Sequence, residues 1–353
     1  MARLVINGRR TVSGVHRVQG NKNAALLSPE PVTLENVPEI EDVAMMLEAA
    51  RSFGAKISRD LAAGTATISA PRIRTARIAP ELAAKIRTSF LFAGPLLARL
   101  GRASLPPPGG DPIGHRRLDT HFAGFRALGA KVSGAGTNLI KVEGVDSLHG
   151  AAARVGCDYI EAGSYVAAAA ATGGELTLEN VDPEPFEALE GAFARFGVTW
   201  SVDAKARTLH YVPRKRLKMK YDLGDAIPSV ADGTWPAFPS DLISVLIVLA
   251  TQARGTCLFF EKMFESRLYF VDRLRQMGAK IVQCDPHRVV VTGPSTLYGG
   301  AVSSNDIRAG ISLVIAALCA KGETVIENAE TIDRGYAAIE RGLSALGADI
   351  RRA

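Results

Sequence analysis

An acid placed five residues before a pair of arginines can move a proton beside a phosphate. The chain carries such a group at 105–121, LPPPGGDPIGHRRLDTH, where Asp111 precedes Arg116 and Arg117. Guanidinium groups bind phosphate oxygens in pairs, and a nearby carboxylic acid can deliver a proton. The three prolines stiffen the approach, and Gly109-Gly110 frees the backbone just before the acid. Read by itself, the stretch is more readily a structural turn with a solvated, charged tip. Two further pairings, Asp306-Ile307-Arg308 and Asp333-Arg334, fall at the expected starts of helices. Such neighbours often form local ion pairs, but helix N-termini also favour anions. Asp241 opens another expected helix after Pro239-Ser240. Compensation of the helix dipole would suffice to explain it there.

The elements that must position these groups repeat along the chain. A glycine stop followed by a short strand occurs at Gly54-Ala55-Lys56-Ile57, Gly129-Ala130-Lys131-Val132, Gly197-Val198-Thr199-Trp200, Gly278-Ala279-Lys280-Ile281 and Gly347-Ala348-Asp349-Ile350. Each stop follows apolar residues at helical spacing, such as Val43, Leu47, Ala50 and Phe53. Glycine there fits the left-handed position that ends a helix. A second phrase also recurs, as VTLENV from Val32, LTLENV from Leu176 and TVIENA from Thr324. These repetitions indicate duplicated units. The stretches 83–98, 161–171, 241–253 and 306–320 read as helices that are apolar nearly all round. Such helices belong inside, with strands walling them, which inverts the usual α/β layering.

At 353 residues the chain can form two domains with well-buried cores. A net charge of +6 suits a small anionic ligand as well as nucleic acid. The densest basic run, Arg214-Lys215-Arg216-Leu217-Lys218-Met219-Lys220, reads as a solvated edge strand or loop. Four cysteines lie scattered without a CxxC pair, which argues against a disulfide framework or zinc site. The opening MARLVINGRR lacks the apolar core of a secretion signal, and no run reaches the ~18 apolar residues of a membrane helix. A cytoplasmic protein without a membrane or nucleic-acid partner is expected.

Six motifs, in order along the chain, carry a resemblance. They are GNKNAAL (20–26), PGGDPIGHRRLDTH (108–121), FPSDL (238–242), FESR (264–267), NDIRAG (305–310) and TIDRGYAAIERGLSALGA (331–348). Together they resemble the UDP-N-acetylglucosamine 1-carboxyvinyltransferase family, enolpyruvyl transferases of peptidoglycan and cell-wall synthesis. The resemblance implies a two-domain inside-out α/β barrel of the EPSP synthase-like type. It also implies transfer of the enolpyruvyl group of phosphoenolpyruvate to the 3′-hydroxyl of UDP-N-acetylglucosamine, by a monomer, without cofactor or metal. Asp111 then stands where most members carry a cysteine and would be the proton donor; Asp241 would be the base. An aspartate at this place implies indifference to fosfomycin, which alkylates the thiol. Lys22, Asn23, Arg87, Arg116, Arg308 and Arg334 match positions that hold phosphoenolpyruvate or nucleotide phosphates, with Lys22 also catalytic. Arg267 matches a further arginine of the cleft, and Met263 a nucleotide contact. Arg116, Arg117, Leu118, Asp119 and Thr120 match the segment that grips the uridine. The family usually has proline where Arg117 stands.

The resemblance implies six repeat units, but five glycine stops are present and only two precede Cys157. Only seven residues separate Asn23 from Pro31, too few for a buried helix in the first unit. The first lobe, 22–156, is therefore expected to be one unit short. The second joins 1–21 to 157–353, and closure of the lobes would bring Asp111 and Arg116 to Asp241, Arg308 and Arg334. A non-catalytic, anion-binding relative is the alternative reading. RNA-end processing is a third, disfavoured because no aromatic residues interleave with the basic run.

Overall fold

The computed structural model describes residues 2–17, 28–75, 91–92, 95, 99, 123–124, 126–127, 129, 131–133, 141–143, 151–213, 216–264 and 266–353. The chain divides into two compact units. One combines Met1–Val18 with Asp158–Ala353, and the other lies within Gln19–Cys157.

The described helices alternate between two kinds. α1 (Glu41–Ser52), α3 (Glu184–Ala194), α5 (Val271–Gln276) and α7 (Ile339–Ala345) each bury one face. In α3 that face is Pro185, Phe186, Leu189 and Phe193, the spacing of an amphipathic helix. In contrast, α2 (Tyr159–Thr172), α4 (Ile243–Gln252) and α6 (Ile307–Cys319) are buried all round. These three pack on one another and form the core of the larger unit. Small residues permit the close approach: a Cβ on Gly163 of α2 would stand 2.9 Å from the Leu242 side chain. The expected helices at 161–171, 241–253 and 306–320 are these three. The middle one differs in its first turn, where Ser240–Leu242 is a tighter 3-10 turn. Most of the helix expected at 83–98, and the gap between Asn23 and Pro31, lie largely outside the described residues.

Among the described residues, four four-stranded sheets share one plan. In each, a short edge strand runs parallel to the next, and the remaining neighbours are antiparallel. The orders are Ser229–Ala231, Gly255–Phe260, Arg288–Gly293, Lys280–Asp285; Gly14–Arg17, Leu176–Glu179, Thr208–Tyr211, Trp200–Asp203; and Ala301–Ser303, Glu323–Glu327, Leu4–Asn7, Asp349–Arg352. These three belong to the larger unit. The fourth, Ala152–Arg154, Val32–Glu35, Thr65–Ser69, Lys56–Asp60, lies in the smaller one. The smaller unit also has the hairpin Lys131–Ser133/Lys141–Glu143. Each central helix lies against strands of its own sheet: α2 on Leu176–Glu179, α4 on Gly255–Phe260, and α6 on both Leu4–Asn7 and Glu323–Glu327. Helices inside and short strands outside is the layering expected from the apolar runs.

The stops have a common physical basis. Gly54, Gly129, Gly197, Gly278 and Gly347 all take positive φ, between 79° and 103°. After four of them the next residue donates its N–H back across the helix end: Ala55 to Ala50, Val198 to Phe193, Ala279 to Leu274 and Ala348 to Leu343. This bond satisfies a carbonyl that the helix leaves open, and the donor is apolar and buried each time. The repeated asparagines Asn36, Asn180 and Asn328 likewise share left-handed backbone, at φ 61°, 67° and 56°. In the basic run, Arg216, Lys218 and Lys220 are exposed while Met219 is buried. Lys218 bridges to Arg254, as an edge segment would.

Candidate active site

The three central helices begin with an aspartate at or near the first turn. Asp158 caps α2 by accepting from the N–H groups of Ile160 (2.9 Å) and Glu161 (3.2 Å). Asp306 caps α6 in the same way, from Arg308 (2.7 Å) and Ala309 (3.0 Å). A short polar side chain before an apolar helix favours this arrangement, because the first turn has free donors. Asp241 sits instead within the 3-10 turn that leads into α4, and that turn packs on α2.

Asp241 is the centre of a cationic clamp. Arg308 donates Nη2 to Asp241 Oδ2 at 3.0 Å, and Arg267 donates Nη2 to Asp241 Oδ1 at 3.2 Å. Both carboxylate oxygens thus face a guanidinium, each from a different repeat. Arg267 Nη1 also lies 3.8 Å from Asp306 Oδ1. The Asp241 side chain is 13% exposed and Arg308 12%, while Arg267, at 4%, is enclosed. Burial would lower the Arg308 pKa, but Asp241, Tyr336 and Asp158 together raise it above the ordinary arginine value. Its charge is fixed.

A line of hydroxyls supports this arginine. Arg308 Nη1 donates to Tyr336 Oη (3.5 Å), which shares a 2.8 Å hydrogen bond with Ser164 Oγ, and Ser164 in turn donates to the Ile160 carbonyl. Burial pushes the Tyr336 phenol up to about 12, so it stays a neutral hydrogen-bonding group. Asp158, nearby at the cap of α2, is raised above the usual aspartate value by burial, against the pull of Arg308.

Behind the clamp lies a buried acidic pair. Glu261 is fully buried and Asp232 is 2% exposed. Ser240 Oγ donates to Glu261 Oε1 at 2.7 Å, tying the residue before Asp241 to this pair. Glu261 Oε1 also accepts from the N–H groups of Met263 (3.2 Å) and Phe264 (3.1 Å). Asp232 accepts from the N–H groups of Lys262 and Met263. Burial, followed by the hydrogen bond and charge of Asp232, pushes the Glu261 carboxyl up to about 8.

Of the residues singled out from sequence, Asp241, Arg267 and Arg308 come together here. Met263 lies in the loop that carries Arg267, held through its backbone by both buried acids. Arg334 ends the 3-10 turn Ala329–Arg334, which packs against α6. It does not open a helix, as was expected, because α7 begins only at Ile339. Its neighbour Asp333 is gripped by both terminal nitrogens of Arg352, at 2.9 and 2.7 Å. Nor do Asp306 and Arg308 form the local pair considered for them: the Asp306 carboxylate caps the helix and the Arg308 guanidinium reaches Asp241. Lys22, Asn23, Arg87, Asp111, Arg116, Arg117, Leu118, Asp119 and Thr120 lie outside the described residues.

Sequence reasoning passed over Asp158, Asp232, Ser240, Glu261 and Tyr336. For Asp158 a signal existed, a capping residue just ahead of an apolar helix. For Glu261 and Asp232 the hint was weaker, a carboxylate closing a short apolar strand.

Comparison with known proteins places the chain in a family. Residues 23–138 and 128–343 match the family described as EPSP synthase (3-phosphoshikimate 1-carboxyvinyltransferase). UDP-N-acetylglucosamine 1-carboxyvinyltransferase of Treponema denticola is 39% identical over 424 aligned positions, spanning 99% of each chain. The enzyme of that name from Bradyrhizobium diazoefficiens is 40% identical over 422, spanning 99% of this chain and 97% of its own. These alignments are longer than the 353 residues of the chain, so they include gaps where the relatives have residues that it lacks. Among solved structures, the enolpyruvyl transferase NikO of Streptomyces tendae superposes with a TM-score of 0.84 at 22% identity, over 100% of this chain and 99% of that one. EPSP synthase of Acinetobacter baumannii gives 0.72 at 17%, over all of both chains. The two structures share the fold, while the near-complete relatives go further: the chain belongs to the UDP-N-acetylglucosamine 1-carboxyvinyltransferase family of carboxyvinyl transferases, within the larger EPSP synthase family.

Proposed function

We propose that the protein transfers the enolpyruvyl group of phosphoenolpyruvate to the 3′-hydroxyl of UDP-N-acetylglucosamine, the step that commits the sugar nucleotide to peptidoglycan. The observation that carries this reading is Asp241 clamped between Arg267 and Arg308 at the start of a central helix. Both oxygens of Asp241 face guanidiniums, so taking the hydroxyl proton requires one of them to let go. A trianionic substrate supplies that pull, since guanidinium binds phosphate at least as readily as carboxylate. Asp241 is then the base, Asp111 the acid that protonates the enol carbon, and Lys22, Asn23, Arg87, Arg116, Arg308 and Arg334 bind phosphates. Arg267 and Met263 line the site beside Asp241, and residues 116–120 take the uridine. The reaction balances: the hydroxyl oxygen bonds to C2 of phosphoenolpyruvate as C3 gains a proton. Phosphate then leaves C2, and loss of a C3 proton restores the double bond.

The lobes of this reading are 22–156 and 1–21 with 157–353. The division into compact units near Val18 and Cys157 supports them. In this reading the protein acts as a cytoplasmic monomer. Among the described residues no helix is long and apolar enough to cross a membrane.

The test is phosphate release from purified protein given both substrates. Asp241→Asn should slow release by about 10²- to 10⁴-fold, the usual worth of a positioned base. Asp111→Ala should do the same to protonation. Binding of phosphoenolpyruvate without any release would favour a second reading, an anion-binding relative that has lost turnover. The alignment gaps motivate it.

A further inference from the structure

The acidic pair behind the clamp serves no purpose in the chemistry just described, yet it is built with care. Glu261 Oε1 receives three donors, from Ser240, Met263 and Phe264. Its other oxygen, Oε2, is buried without a hydrogen-bond donor, and Arg267 Nε, 3.9 Å away, is buried without an acceptor. A carboxylate and a guanidinium left that far apart in a buried place are poorly explained as an ionised pair. An ionised Glu261 would draw Arg267 into contact, because unpaired charge is costly away from water. Arg267 instead turns its Nη2 to Asp241, and Asp232 lies within hydrogen-bonding reach of Glu261. Two carboxyls this close cannot both ionise cheaply.

We propose that Glu261 holds a proton and, with Asp232 beside it, acts as the positioning pair for Asp241. With Glu261 uncharged, Arg267 is left free to face the base. The inference rests on the reading of Asp241 as base. The connections are direct: Ser240 ties Glu261 to the turn bearing Asp241, and Met263 N–H ties both acids to the loop bearing Arg267. The charged and titratable groups around Glu261 are Asp232 from the strand end, Arg267 from the 3-10 turn, and His287, whose ring meets the Glu261 carbonyl. Beyond Arg267 stand Asp241 and Asp306.

Loss of the proton would ionise Glu261, close the 3.9 Å gap to Arg267 and take that guanidinium from Asp241. Activity should therefore decline on the alkaline side, near the value of about 8 to which burial and Asp232 raise Glu261. Glu261→Gln, a neutral isostere, should abolish that decline in kcat while leaving KM for both substrates within about threefold. Glu261→Ala should lower kcat by up to about a hundredfold through misplacement of the turn, with partial recovery in the Gln variant. An independent arm uses infrared difference spectra of the intact protein. A protonated carboxylic acid band should be present at neutral pH, vanish as pH rises past the alkaline midpoint, and be missing in Glu261→Gln. Absence of that band in wild type, or an unchanged alkaline decline in Glu261→Gln, would overturn the proposal. If wild type releases no phosphate at all, the function reading fails separately and the infrared arm alone decides whether the proton is there.

Discussion

At the scale of single residues, what the chain declares openly and what it conceals differ in a physical way. Asp241, Arg267 and Arg308 were legible because each sits in a motif that resembles a known family, although no spacing in the sequence says that they meet. Their meeting depends on three repeats folding onto one another, a tertiary fact. Glu261 and Asp232 were not legible, because a carboxylate at a strand end is ordinarily solvated, and only the packed fold makes these two buried. Their burial has a consequence for stability. The Glu261 carboxyl ionises near 4.5 in an unfolded chain and at about 8 in the fold. Between those values the native state binds the extra proton, so stability falls as pH rises through that window. Above it, no further loss accrues from this group. Wild type should therefore lose urea resistance between pH 5 and pH 8 relative to Glu261→Gln, which has no proton to give up. Parallel curves for the two proteins would show that Glu261 is charged throughout.

At the scale of elements, the sequence was most informative where one backbone requirement recurs. The five glycine stops could be read because left-handed backbone excludes most side chains, and all five have it. The recurring asparagines meet the same need, yet Asn tolerates other conformations, and their left-handed turns were not anticipated. The buried helices were legible from composition, since nothing polar marks an outer face. The first turn of α4 was not, because proline before Ser240 alters how the helix starts. A substitution tests the stop directly. Gly347 stands at φ 94° and its N–H bonds to the Ser344 carbonyl. Gly347→Ala should lower unfolding free energy by about 1–2 kcal/mol, the cost of a Cβ in that conformation, with the fold retained by circular dichroism. Ser344→Ala, which leaves the backbone alone, should cost less.

At the scale of the whole molecule, the larger unit is organised around helices that never see water. Opening any of them to solvent requires separating α2, α4 and α6 together with their sheets. Amides of these helices should accordingly exchange hydrogen only through global unfolding, while those of the one-sided helices α3 and α7 exchange by smaller openings. Native-state hydrogen exchange read by mass spectrometry would check this. Fast exchange in the middle of α4 would mean that the core is looser than its burial implies. The strand Leu4–Asn7 adds a further consequence. It lies between Glu323–Glu327 and Asp349–Arg352, paired on both sides with segments more than 300 positions along the chain. In the other sheets of this unit the equivalent strand follows its hairpin partner directly. During synthesis, then, this segment must wait, unpaired, until more than 300 further residues have left the ribosome. That sheet closes late, and a chaperone that shields nascent chains has a long-lived exposed edge to guard there.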